Sequence, residues 1–143
     1  MTVSQLTVFI ENKSGRLADV TKALADNGIN IRALSVADTV DYGLLRLIVD
    51  DPERAKAILT QGGFTVAVTQ VLAIEVSDRP GGLAAVISAL AGAGANIEYM
   101  YAFAGSSGHN AVVIFRIENP EESIEVLQSK GIKIFSGPEI YAL

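Results

Sequence analysis

Gly15-Arg-Leu-Ala-Asp-Val-Thr-Lys-Ala-Leu-Ala-Asp-Asn-Gly-Ile-Asn-Ile31 is followed 66 positions later by Gly81-Gly-Leu-Ala-Ala-Val-Ile-Ser-Ala-Leu-Ala-Gly-Ala-Gly-Ala-Asn-Ile97. Gly15, Leu17, Ala18, Val20, Ala23, Leu24, Ala25, Gly28, Asn30 and Ile31 each meet the same residue type, and Leu6 meets Leu72 ahead of them. Past a two-residue insertion the offset becomes 68, where Pro52 meets Pro120, Leu59 meets Leu127 and Gly63 meets Gly131. Agreement at so regular an offset marks a duplication. The chain reads as two copies of a unit of about 65 residues, 1–69 and 70–143, joined at Thr69-Gln70 without a flexible linker.

Each copy carries the same series of elements. Leu6–Ile10 and Leu72–Val76 are β-rich runs. Leu17, Val20 and Leu24, like Leu83, Val86 and Leu90, recur at helical spacing and stop at Gly28 or Gly94. A strand through Asn30-Ile31 or Asn96-Ile97 follows, then another near Leu44–Val49 or Ala111–Ile117. Asp51-Pro52-Glu53 and Asn119-Pro120-Glu121 open second helices, with a capping side chain, proline at the first position and acid at the positive pole. A last strand lies at Phe64–Val68 or Ile132–Phe135. The order β-α-β-β-α-β, twice, predicts an α+β fold of two ferredoxin-like repeats, each an antiparallel sheet with its helices on one face. One face of each sheet stays bare, so the copies are expected to pair edges or faces. Glu139-Ile-Tyr-Ala-Leu143 alternates like an extra strand and is expected to cover a sheet edge. Tyr99, Tyr101 and Phe103 alternate too, and are expected to form a dimer seam.

Composition narrows the function. Of 143 residues 50% are hydrophobic and 19% charged, so a large core or a buried subunit contact is expected. The net charge of −5 lacks the basic footprint that nucleic acid requires. Without cysteine there is no disulfide, thiolate nucleophile or zinc–sulfur site, and one histidine builds no multi-histidine metal centre. No apolar run approaches the roughly 20 residues that cross a bilayer, and no export signal opens the chain, so a cytoplasmic protein without membrane partner, cofactor or metal is expected. His109, alone in Gly105-Ser-Ser-Gly-His-Asn110, reads as a solvated hairpin residue.

The loops before the first helix of each copy carry the candidate site: Glu11-Asn12-Lys13-Ser14-Gly15-Arg16-Leu17 and Ser77-Asp78-Arg79-Pro80-Gly81-Gly82-Leu83. Glycine at 15 and 81 lets backbone approach a ligand, and the helix behind offers free N–H groups suited to a small carboxylate. The side-chain amides of Asn12 and Asn30 suit both ends of a free amino acid. The same residues also serve as ordinary caps and turns: Asn12 and Asp78 as caps, Pro80 as helix opener, Asn30 and Asn96 as turn residues.

At these positions the sequence resembles the ACT domain family, β-α-β-β-α-β modules that sense amino acids. An Asn or Asp three residues before a Gly that precedes a leucine-bearing helix matches Asn12/Gly15/Leu17 and Asp78/Gly81/Leu83. A Gly-x-Asn-Ile step matches Gly28–Ile31 and Gly94–Ile97. The resemblance spans nearly the whole chain and implies a free-standing, non-catalytic regulatory sensor, a homodimer, that binds a small amino acid at domain–domain interfaces and alters its packing or its contact with an enzyme or regulator of amino-acid metabolism. The implied contacts are Asn12, Lys13, Ser14, Gly15, Arg16, Leu17, Asn30 and Ile31 in the first copy, and Asp78, Pro80, Gly81, Gly82, Leu83, Asn96 and Ile97 in the second. Asp78 in place of Asn12 repels a ligand carboxylate and attracts its ammonium, so the two sites differ. Two other functions fit the pattern. One is a ligand-independent dimerisation or adaptor module; the other is an acylphosphatase-like hydrolase using Arg16 and Asn30, although the loop lacks an amide-rich run ending in arginine.

Overall fold

The computed structural model describes residues 1–11, 13–38, 42–103 and 110–143; Asn12 and His109 lie outside them. The first copy supplies β1 (Val3–Glu11), α1 (Arg16–Asp26), β2 (Ile31–Asp38), β3 (Tyr42–Val49) and α2 (Pro52–Gln61). β4 (Thr65–Ser77) follows, then α3 (Gly82–Gly92), β5 (Ile97–Ala102), β6 (Asn110–Ile117), α4 (Pro120–Ser129), β7 (Ile134–Phe135) and α5 (Gly137–Tyr141). The strands run in the order β2-β3-β1-β4-β6-β5, with β7 on β4. All pairs are antiparallel.

The two strands expected on either side of Thr69-Gln70 are one. Along β4, Thr65–Val71 pairs with β1, and Leu72–Ser77 pairs with β6. β4 is thus the last strand of one copy and the first of the next.

Alternation along the strands builds three cores. Leu6, Val8 and Ile10 point to one side of β1, under Val20 and Leu24 of α1 and Ala55 and Leu59 of α2. Leu72, Ile74 and Val76 of β4 do the same under Val86 and Leu90 of α3 and Leu127 of α4. The intervening residues, among them Val3, Ile48, Val71, Ala73, Val112 and Ile114, form a third core between the two sheets. The bare faces therefore cover each other, with helices outside. Burying a large aliphatic side chain contributes about 1.5–3 kcal/mol, so this third core, with Ile48 and Ile114 fully buried, helps hold the two sheets together. The sheets are joined by β4 on one side and by an isolated Ala33–Phe103 bridge on the other.

Three expectations change. Tyr99 and Tyr101 stack at 6.5 Å between centroids, but the seam is internal: Gln5 of β1 bonds both hydroxyls, and Arg46 lies 3.8 Å over the Tyr99 ring. The C-terminal segment is a helix, not an extra strand. Ser136 Oγ accepts the Glu139 N–H at 3.3 Å, Glu139 Oε2 accepts the Ser136 N–H at 2.8 Å, and Pro138 stands in the first turn. This reciprocal capping outweighs the alternation of Glu139–Leu143. Ile140 plugs the inter-sheet core, and Tyr141 Oη accepts the Ser4 N–H at 2.8 Å. Finally, Asp51 caps α2 by accepting the Arg54 N–H at 3.2 Å, whereas Asn119 sits at φ +53° and its side chain caps nothing.

Candidate functional site

Both loops end in the same geometry. Gly15 (φ +90°) and Gly81 (φ +86°) occupy the left-handed region immediately before α1 and α3, and no side chain among the described residues caps either helix. Asp78 is therefore not a cap. The Arg16 N–H turns back to the Lys13 carbonyl and Asp19 N–H to that of Gly15; Gly82 and Ala85 repeat this with Arg79 and Gly81. Between them, the N–H groups of Leu17 and Ala18, and of Leu83 and Ala84, have no acceptor among the described residues. A β-carbon on Gly15 or Gly81 would meet nothing within 4 Å, so both openings are clear. Paired free amides at a helix start favour an anion.

The flanking side chains differ between copies. In the first, Lys13 pairs with Glu11 at 2.7 Å, and its ammonium holds the Glu11 carboxyl below the usual range. The Arg16 guanidinium lies 4.5 Å over the Phe64 ring and 3.5 Å from Asp19, with its buried Nε unpartnered. Arg16 is thus folded onto the chain's own core edge. Ser14 is exposed.

In the second copy, Gly82 replaces Arg16 and is buried against the Ser77 carbonyl, which a β-carbon would overlap. A cavity of about 180 Å³ adjoins it, lined by Glu75, Ser77, Arg79, Gly81 and Lys133 among others. A more open one of about 450 Å³ lies beyond, with Asp78, Pro80 and Leu83 in its wall. Ser77 and Arg79 border both. Glu75 is oriented by Asn110 Nδ2, which donates to its Oε1 at 3.1 Å. Leu17 and Leu83 stand at equivalent places, each 41% exposed.

The asparagines that close the Gly-x-Asn-Ile steps are not beside these loops. α1 and α3 each have 11 residues, which puts Asn30 and Asn96 roughly 16 Å along the helix from Gly15 and Gly81. Asn30 exchanges backbone bonds with Asp50, its N–H on Oδ1 at 3.0 Å and its carbonyl on the Asp50 N–H at 3.1 Å. Asn96 is exposed in a separate cleft. Ile31 and Ile97 pack on their cores. Within one copy, then, loop and asparagine belong to opposite ends. Sequence reasoning missed Glu75 and Lys133, which arrive from the strand before the loop and the segment before β7; no local spacing signals either. Arg79 stood inside the quoted loop. No group of metal-ligating residues occurs among the described residues, and no described helix is long and apolar enough to cross a membrane.

The family model described as "ACT domain pair" matches residues 1–141. No curated protein matches the chain. Among solved structures it is similar to protein BT0572 from Bacteroides thetaiotaomicron, with 40% identity, coverage of 100% of this chain and 98% of that one, and a TM-score of 0.93. It is similar in fold to the regulatory subunit of aspartate kinase from Thermus thermophilus in its ligand-free form (22% identity, 88% and 91% coverage, TM-score 0.63). The corresponding subunit from Thermus flavus is similar in the same way (19%, 88% and 90%, TM-score 0.59). The duplicated β-α-β-β-α-β order, the uncapped glycine openings and the match over residues 1–141 agree: this chain belongs to the ACT domain family, as an ACT domain pair.

Proposed function

We propose that the protein is a non-catalytic sensor that binds a small free amino acid at the glycine openings and passes occupancy on as a change of packing or of partner contact. The observation that carries this reading is the pair of free N–H groups behind Gly81, next to cavities bordered by both charge signs. The ligand carboxylate takes the Leu83 and Ala84 N–H groups, with Arg79 and Lys133 nearby; Glu75 or Asp78 takes the ammonium. In the first copy Asn12 replaces the aspartate, so an amide does that work. Because Asn30 and Asn96 lie a helix length away, the second half of each interface site comes from another unit, which we assign to a second copy of the chain. Ligand bound across such a seam favours one packing over another by its differential affinity, and an enzyme or regulator of amino-acid metabolism reads the outcome.

A thermal scan against the twenty amino acids tests this. A ligand at 100 times its Kd adds about 2.7 kcal/mol. Asp78→Ala and Asn12→Ala should each reduce the shift, and light scattering should report a change in mass or shape with ligand. A melting curve moved by none of the twenty refutes the reading.

A further inference from the structure

The duplication provides its own comparison at the far end of each repeat. In the first copy, the groove between the end of α1 and the start of α2 is filled from within: Arg54 Nη2 donates to the Asn27 carbonyl at 2.6 Å. The corresponding positions in the second copy are Glu122 and Ala93, and there the groove is a cleft of about 480 Å³. Asn96, Glu118, Glu121, Glu122 and Ser123 line it. No described side chain donates to the Ala93 carbonyl at the negative end of α3. Ser123, where the first copy has buried Ala55, is only 2% exposed, and its hydroxyl has no partner among the described residues. Thus the repeat without the internal guanidinium has a carboxylate in its place and a hydroxyl in the cleft wall, while Glu118 and Glu121 keep the charges that Asp50 and Glu53 carry in the first copy.

We infer that this cleft binds a guanidinium group from outside, which takes the position Arg54 occupies in the first copy: donor to the Ala93 carbonyl and to Ser123 Oγ, and ion pair to Glu122. Planar N–H donors in a fork suit carbonyl and carboxylate acceptors side by side. The site is separate from the Gly81 opening and asks for no carboxylate on the ligand.

The test is an NMR titration of the ¹⁵N-labelled chain with agmatine, which lacks a carboxylate and so leaves the amino-acid reading untouched. A capped Gly-Arg-Gly peptide runs in parallel; the tighter of the two tells whether a free molecule or a protein side chain is the source. Amide shifts should concentrate in residues 93–96 and 118–123. Glu122→Arg, which restores the self-filled state, should weaken binding at least tenfold, and Ser123→Ala should weaken it several-fold while the amides of the first copy keep their positions. Shifts spread over all acidic surfaces, equal shifts with tetramethylammonium at the same concentration, or unchanged affinity in Glu122→Arg would each overturn the inference.

Discussion

Replacing Gln5 with leucine probes the internal seam. Gln5 is fully buried between the sheets, a polar residue beside the equally buried Val3 on the same face of β1. Its Nε2 donates to Tyr99 Oη at 2.8 Å and to Thr7 Oγ1 at 3.1 Å, and its Oε1 accepts from Tyr101 Oη at 2.7 Å. Leucine preserves most of the volume and removes all three bonds. Thr7 and Tyr99 are half-buried and regain water, at about 0.5–1 kcal/mol each. Tyr101 is partly buried as well, but desolvation pushes its phenol far above its ordinary value of 10, and a desolvated hydroxyl left without a partner costs about 1–3 kcal/mol. Gln5→Leu should therefore destabilise by about 2–5 kcal/mol, read by equilibrium urea unfolding. Adding Tyr101→Phe removes the orphan and should return about 1–3 kcal/mol, a coupling visible in a double-mutant cycle. A single variant within about 0.5 kcal/mol of wild type, the scale of ordinary surface changes, would refute the view that this amide fixes the two repeats against each other.

Three further outcomes follow from the same packing. Gly82→Ala sets a β-carbon into the Ser77 carbonyl, and since both groups are backbone-bound, stability should drop by about 2 kcal/mol or more in denaturant unfolding. Ser136→Ala should cost about 1 kcal/mol through the lost cap, and Ile140→Ala about 2–4 kcal/mol through the cavity it leaves in the third core; limited proteolysis should then cut near residue 137. At high pH the unfolded chain ionises Tyr101 from about pH 10 while the folded chain keeps the proton. The contribution is intact below pH 10 and is lost as pH rises above it, so stability should decline on the alkaline side, and Tyr101→Phe should flatten that decline.

The sequence carried the duplicated element order because that order rests on local signals: glycines closing helices, Asp51-Pro52 opening one, and period-two runs. It also pointed to both glycine openings, since a left-handed residue before a helix leaves a mark in residue type. It did not reveal that Tyr99 and Tyr101 face Gln5, because an alternating aromatic strand looks the same whether its partner is another chain or a strand 94 residues earlier. The tail was misread because five alternating residues imitate a strand; the Ser136–Glu139 capping box three residues upstream was the overriding signal. The far-end cleft was invisible for another reason. Arg54 and Glu122 both read as solvated helix faces until the Asn27 carbonyl is seen under one of them.

β4 has one more implication. A residue pair such as Val71-Leu72 sits in two ladders at once, so this strand is a hinge pin common to two doors. The copies are not beads on a string: one unbroken strand carries the last ladder of the first copy directly into the first ladder of the second. Any tilt that a guest imposes at Ser77 is levered along thirteen residues of continuous backbone toward Thr65, at the opposite pole of the molecule.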